Sequence, residues 1–261
     1  MDEIAIIGPI FLGLVLGSFA TALSYRIPRG LSMVSMSRSQ CPACRKNLGV
    51  ADLVPLFSWI VLRGRCRHCR APIGWRYPLI ELATLLLCLV FYSVYGMKSE
   101  SLLIFALAPV IVSILDIDLH YKMIPDSLNL SILLTGVAAL FVNALLSGSG
   151  LDFLLEKGAA AAGAALLYGF GALLLRQAAM FVMKREPLGM GDVKFYAAAG
   201  FWLGLNVDAA VLFMLVSGLS GIVFALAWTN RTGDAEVPFG PSLSIAFIAA
   251  LYLYVPGFMS L

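Results

Sequence analysis

The feature that most constrains this chain is a succession of apolar stretches, each long enough or nearly long enough to cross a bilayer. They run over roughly 4–24, 78–96, 101–116, 127–147, 158–183, 193–205, 208–229 and 240–260. A helix needs about 20 such residues to span the hydrocarbon core, so 193–205 reads as a tilted or partial span. Composition agrees: of 261 residues, 61% are hydrophobic and 13% charged, against about 45–50% and about 25% in a soluble domain. Soluble, disordered, collagenous and small disulfide-stapled classes are excluded. The expected fold class is an all-α polytopic membrane protein of about eight transmembrane helices, with the lipid bilayer as an obligatory partner. A net charge of +3 gives no ground for a nucleic-acid partner. The first stretch follows Asp2 and Glu3 rather than basic residues and runs long. It therefore reads as a retained span, not a cleaved signal peptide.

Orientation follows from where Lys and Arg fall in short loops. The segment 26–76 alone holds ten: Arg26, Arg29, Arg38, Arg45, Lys46, Arg63, Arg65, Arg67, Arg70 and Arg76. Lys122, Lys184, Arg185, Lys194 and Arg231 fall on the same side if the spans alternate, leaving Lys98 and Lys157 opposite. Fifteen against two places 26–76 in the cytosol and both termini outside. Arg176, inside the fifth span, is expected to turn toward protein or the cytosolic interface.

The polar segment between the first two spans carries Cys41-Pro-Ala-Cys44 and Cys66-Arg-His-Cys69, with 21 residues between the pairs. Two such pairs supply four thiolates to one tetrahedral zinc. Two disulfides fit a reducing cytosol poorly, and a pair of redox dithiols is a weaker reading. A segment this small buries little core, and bound zinc contributes about 10–16 kcal/mol of apparent folding energy. With Cys at all four positions no coordination site is left for water, so Zn2+ would be structural in a small zinc-ribbon insert. Cys88, in the second span, reads as an ordinary buried thiol. His68 reads as a surface residue.

Acidic residues number only fifteen, so their placement is informative. Two clusters lie at cytosolic ends of spans. One holds Asp116, Asp118 and Asp126 with His120, Lys122 and Pro125; the other holds Glu186, Gly189, Gly191 and Asp192, followed by Lys194. Ionisable groups at spans are functional candidates, because placing them there is costly. The plainer reading is loop carboxylates paired with Lys122, Lys184, Arg185 or Lys194. For Asp126, after Pro125 and before Ser127, a helix cap is favoured. Two glycines before Asp192 permit close backbone approach or unusual dihedrals. Asp116 and Asp118 point about 200° apart on a helix, and their chemistry does not choose between them.

Two facing carboxylates would form a dyad. At about 4 Å and an effective dielectric near 20, their charges repel by about 4 kcal/mol. One then holds its proton while the other stays ionised, and the pair titrates as a unit. The ionised group acts as base on water; the protonated one polarises a peptide carbonyl and later protonates the leaving amine. No phosphate-binding loop or His-Glu-x-x-His is present, and two histidines supply a triad poorly. A transporter with proton-relay carboxylates is the competing use of such groups.

The residues Gly17–Pro28, the four cysteines, Leu56–Leu82, the Asp–Pro–Asp segment, Gly-Met-Gly-Asp-Val-Lys-Phe and Pro238–Pro241 together resemble the type IV prepilin leader peptidases. These are bifunctional membrane aspartic proteases that also N-methylate the new pilin terminus. The resemblance covers nearly the whole chain. It implies three parts: a first transmembrane helix over 1–25, a cytosolic zinc-binding, methyltransferase-associated domain over 26–77, and a transmembrane peptidase domain over 78–261. The family's first catalytic aspartate lies seven residues before the loop proline, which selects Asp118; the second matches Asp192. The implied reaction is hydrolysis after a glycine that ends a short basic leader, at the cytosolic face of the bacterial inner membrane. The implied partners are prepilins or pseudopilins. Glu186 would be a local counter-charge to the basic leader.

The second activity draws on S-adenosylmethionine and is associated with the N-terminal, zinc-bearing part. There the sequence departs from the family twice: Thr21 stands where Asn is usual, and Asp52-Leu53 where Asp-Asn is usual. Each change removes an amide able to donate and accept hydrogen bonds. Glu81, at the start of the second span, is the candidate acid near the cofactor or amine, with a helix-start carboxylate favoured by the dipole as the alternative. Two further readings stay open: a peptidase without methylation, and a non-enzymatic assembly component whose zinc module is a docking platform. The Gly158–Ala165 run permits close helix packing within the chain or between copies.

Overall fold

A computed structural model describes residues 6–33, 39–99, 101–183, 188–234 and 236–254. Arg38, Lys184, Arg185 and Glu186 lie outside the described residues. The fold is helical: α1 (Ile7–Arg26), α2 (Phe57–Val61), α3 (Arg76–Tyr95), α4 (Leu102–Tyr121), α5 (Asp126–Leu146), α6 (Leu151–Met183), α7 (Met190–Leu203), α8 (Val207–Thr232) and α9 (Gly240–Leu253). Among the described residues, each apolar stretch of the sequence is mainly helical. Six of them, α1, α3, α4, α5, α6 and α8, are long and apolar enough to cross a membrane. With 14 residues each, α7 and α9 rise only about 21 Å, short of a core about 30 Å thick.

Several boundaries differ from those read in the sequence. The outer loop expected over 147–157 is helical from Leu151, making α6 33 residues long. Leu151, Phe153, Leu154 and Leu155 supply the apolar content that Asp152, Glu156 and Lys157 obscured. The third stretch does not stop at 116 but continues to Tyr121, because backbone hydrogen bonding carries α4 through its two aspartates. The last stretch is helical to Leu253; its end lies beyond the described residues.

The chain divides into two compact units: residues 1–97 with 108–113, and 98–107 with 114–261. In the first, α1 and α3 pack backbone to backbone at two glycines. A Cβ on Gly13 would meet the Leu85 side chain at 2.8 Å, and one on Gly17 would meet the Glu81 carbonyl at 2.9 Å. Ser113 donates to the carbonyls of Ala20 and Pro109, satisfying its buried hydroxyl inside the apolar packing.

In the second unit α7 is the innermost helix. Beyond Asp192 and Lys194 in its first turns it is apolar all round, and most of its residues are buried, the pattern of a core helix rather than a lipid-facing one. Gly200 takes Tyr168 of α6, Gly169 takes Ala197, and Gly136 of α5 lies under Phe201 and Trp202. The Trp202 indole donates to the Ile132 carbonyl at 2.8 Å. Phe195, Tyr196, Phe213 and Phe247 interlock edge to face, a geometry favoured by the ring quadrupole. Of the small-residue run, Gly158 meets Leu140 of α5, while Gly163 faces open space.

Candidate functional site

Two turns of the insert have the same construction. Cys41–Cys44 and Cys66–Cys69 are each followed by an arginine in the left-handed region, Arg45 at φ 56° and Arg70 at φ 60°. The N–H of each arginine donates to the carbonyl of its first cysteine, and each first cysteine donates onward to Lys46 or Ala71. Bridges Gln40–Asn47 and Arg65–Pro72 close the turns. The likeness was visible in the sequence, where Arg follows both pairs. The four sulfur atoms lie within 4.8 Å of one another, and Cys41 and Cys69 are 3.9 Å apart. Metal–sulfur bonds of about 2.3 Å imply tetrahedral edges of about 3.8 Å, so the four thiols fit a structural metal site. The backbone N–H groups of Cys69 and His68 hold the Cys66 thiol down to about 7. His68 is exposed and outside the cluster.

The insert is tied down elsewhere. Asp52 accepts from Arg67 at 2.6 Å and from the Gly49 N–H at 3.1 Å. The Arg67 guanidinium, followed by that backbone donor, holds the Asp52 carboxyl below its ordinary range. Glu81 neither caps α3 nor points away: its Oε2 accepts the Leu56 N–H at 2.7 Å, across 25 residues. Thr21, Ser24 and Tyr25 of α1 line a cleft with Arg76, Tyr77 and Ile80 of α3. The Ser24 hydroxyl is buried there without a hydrogen-bond partner. Arg29 lies 4.1 Å over the Tyr25 ring.

In the second unit, Asp118 lies on the last turn of α4, buried. Its Oδ2 accepts the Gly240 N–H at 2.6 Å, and the Phe239 backbone adds a second donor. These donors open α9, whose N-terminus favours an anion. A Cβ on Gly240 would meet that of Asp118 at 2.8 Å, so only glycine lets the two elements meet. Lys122, left-handed at φ 53°, reaches Asp234 at 3.0 Å and Glu236 at 3.6 Å. The segment leading to Gly240 is thereby fastened to the end of α4.

Asp192 is the third residue of α7, and its Oδ2 accepts the Gly189 N–H at 2.8 Å. Gly189 has an ordinary φ of −70°. Of the two roles expected for the glycines, close approach is the one realised: a Cβ on Gly191 would meet the Ile124 carbonyl at 2.9 Å. Asn129 donates to the Gly191 carbonyl at 2.9 Å, and Arg176 turns inward to donate to Leu188 at 2.9 Å. Asp118 and Asp192 are close enough for the charge of one to act on the other.

The other acids part from this pair. The Asp116 carboxylate lies 3.4 Å from His120 Nδ1, one turn along the same helix. Asp126 is not the cap of α5; Pro125 occupies that position, and Asp126 pairs with Lys194 at 2.7 Å. Sequence reasoning missed the backbone donors of Phe239 and Gly240, and the supports from Asn129 and Ile124. The proline after Gly240, at the opening of a helix, was the available signal for the first.

Helices fit for a membrane, two buried aspartates whose carboxylates meet backbone N–H groups at helix starts, and a four-thiol cluster define a polytopic membrane protein with a carboxylate centre. The bacterial peptidase A24 N-terminal domain matches residues 11–95, and the type IV leader peptidase family matches 103–226. The chain is 34% identical over 260 residues to the type 4 prepilin-like proteins leader peptide-processing enzyme of Escherichia coli O78:H11 (strain H10407 / ETEC), covering 92% of this chain and 91% of that protein. It is 34% identical over 279 residues to the prepilin leader peptidase/N-methyltransferase of Burkholderia pseudomallei (strain 1026b), covering 97% and 86%. It is 35% identical over 222 residues to that of Aeromonas hydrophila, covering 82% and 71%. The chain belongs to the type IV leader peptidase family. No solved structure matches it.

Proposed function

We propose that this chain cleaves the leader of prepilins or pseudopilins with Asp118 and Asp192, and methylates the terminus it exposes. The observation that carries the first half is the pair itself: two buried acids, each held by backbone N–H groups at the start of a helix, within electrostatic reach. Two such charges side by side are costly, so the working state has one ionised and one protonated carboxyl. The ionised group takes a proton from water as the oxygen bonds to the scissile carbonyl carbon. The protonated group gives its proton to the carbonyl oxygen, and a tetrahedral diol forms. Collapse of the diol breaks the C–N bond, and a carboxyl proton goes to the departing amine. No covalent enzyme intermediate is required. The names of the relatives support prepilins as substrate.

The divisions 1–25, 26–77 and 78–261 follow as functional parts: first helix, metal-bearing methyltransferase part, and peptidase. The distribution of Lys and Arg supports a cytosolic insert and site in a bacterial inner membrane. Zinc is the metal whose ligand preference the four thiols match, with a structural role. S-adenosylmethionine would supply the methyl group, as the names of the relatives support. The cleft of Thr21, Ser24, Tyr25, Arg76, Tyr77 and Ile80 is about the size of one water molecule and does not hold it. Glu81, beside the α1–α3 contact at Gly17, remains the proposed acid near donor or amine, and it also fixes the insert through Leu56.

The test is to incubate the detergent-purified protein with a leader-bearing pilin and weigh the products, with and without S-adenosylmethionine. Loss of the leader is expected in both, and a product heavier by one methyl group only with the donor. An intact pilin after incubation with the unaltered protein would overturn the peptidase reading.

A further inference from the structure

The stretch between the two cysteine turns does not run over the surface as a polar loop. It turns back sharply at Leu56, whose φ of 62° and ψ of −50° are rare for a residue with a side chain. Phe57 donates to the Pro55 carbonyl at 2.6 Å, closing a three-residue turn of the strained hand. Helix α2 follows at once. Its inner side is Trp59, which packs against Trp75 with ring centroids 4.2 Å apart and planes tilted by 51°, donates to the Ile73 carbonyl and fills the space above Gly64. Its other side is Phe57, Ile60 and Val61, positions that share one helix face. They are 59%, 64% and 75% exposed, and Trp75 is 67% exposed. A water-facing domain keeps such large apolar side chains scattered.

Depth is set by the Glu81–Leu56 hydrogen bond. Glu81 lies five residues into α3, a helix long and apolar enough to cross a membrane from Arg76. That is about 7.5 Å along the axis, with side chains leaning back toward the helix start. The beginning of α2 is therefore level with the first turns of a span, within the roughly 5–10 Å by which interfacial segments sink. Trp75, immediately before the span, is the residue type that favours this layer. Arg63, Arg65, Arg70 and Arg76 surround the corner in sequence and suit anionic headgroups.

We propose that the α2 corner, Phe57, Ile60 and Val61 with Trp75, is an interfacial anchor that dips into an anionic bilayer and holds the cysteine module against it. This does not depend on the peptidase reading. The test places a photoreactive benzoylphenylalanine at Ile60, or at Val61, in the full-length protein reconstituted into vesicles of phosphatidylglycerol and phosphatidylethanolamine. Leu86, outward on α3, is the lipid-facing control, and Asn47, exposed in the first cysteine turn, the water-facing one. After illumination, intact-mass measurement should show lipid adducts at 60 and 61 in yields like that at 86 and about ten-fold above that at 47. Adducts at 86 with none at 60 or 61 would overturn the proposal. So would a crosslink from these positions to a second copy of the chain in place of lipid. The probed side chains point outward, and a gel-filtration profile matching that of the unaltered protein confirms that the fold survives.

Discussion

The cysteine module and the aspartate pair are built in opposite ways. Each cysteine turn is local: a run of eight residues closes on itself through its own backbone, and the second run repeats the first. The aspartate pair is assembled from afar. Gly240 reaches Asp118 across 122 residues, and Asn129 steadies the Asp192 loop across 62. A local site needs a metal to complete it. A distributed site needs the helices around it to be correct first, and it then holds two buried carboxyl groups that no local segment would tolerate.

That contrast yields graded expectations. Asp118→Asn or Asp192→Asn should reduce leader cleavage by at least about 10²–10⁴-fold while the protein still accumulates in the membrane, read by product mass and immunoblot. Cleavage near the normal rate in either variant would separate the pair from the chemistry. Cys41→Ser, Cys66→Ser or prolonged chelation should unfold the insert, because a structural zinc on the four thiols would contribute about 10–16 kcal/mol there. Hydrogen exchange over 39–72 should rise while α5–α9 stay protected; equal loss in both regions would end the distinction drawn above.

Gly240→Ala sharpens the other half. Its Cβ would press on Asp118; a displacement near 1 Å at a reacting group costs about 10²-fold, while the overpacking lowers stability by only about 1–3 kcal/mol, read by thermal unfolding. The smallest effect belongs to Asp52 and Arg67. Because Arg67 holds the Asp52 carboxyl below the usual carboxylate range, the contact stabilises the insert at neutral pH. It is lost as pH falls through the lowered pKa. Arg67→Ala should therefore remove under about 1 kcal/mol at pH 7 and nothing once that carboxyl is protonated, measured by denaturant titration at both pH values.

Much of this was legible from residue order. Long unbroken apolar stretches located the long helices among the described residues, and the doubled cysteine spacing located the thiol cluster, because both signals are local. The limits of α4 and α6 were misread where charged residues interrupt a helix that backbone hydrogen bonds carry through. Asp116 and Asp118 were indistinguishable by chemistry. Their separation depends on α9 starting beside one of them and on His120 lying a turn beyond the other. The donors at Phe239 and Gly240 are backbone groups, which a sequence does not advertise. Leu56 bonding to Glu81 pairs a carboxylate with an N–H that any residue would carry.

The left-handed arginines bear on how such an insert divides its work. Because each turn closes on its own backbone, the residues from 48 to 64 are spared that task and carry the wider ties instead: Asp52 to Arg67, Leu56 to Glu81 and Trp59 to Ile73. Only a few side chains of that middle stretch do this work, which leaves Phe57, Ile60 and Val61 facing outward.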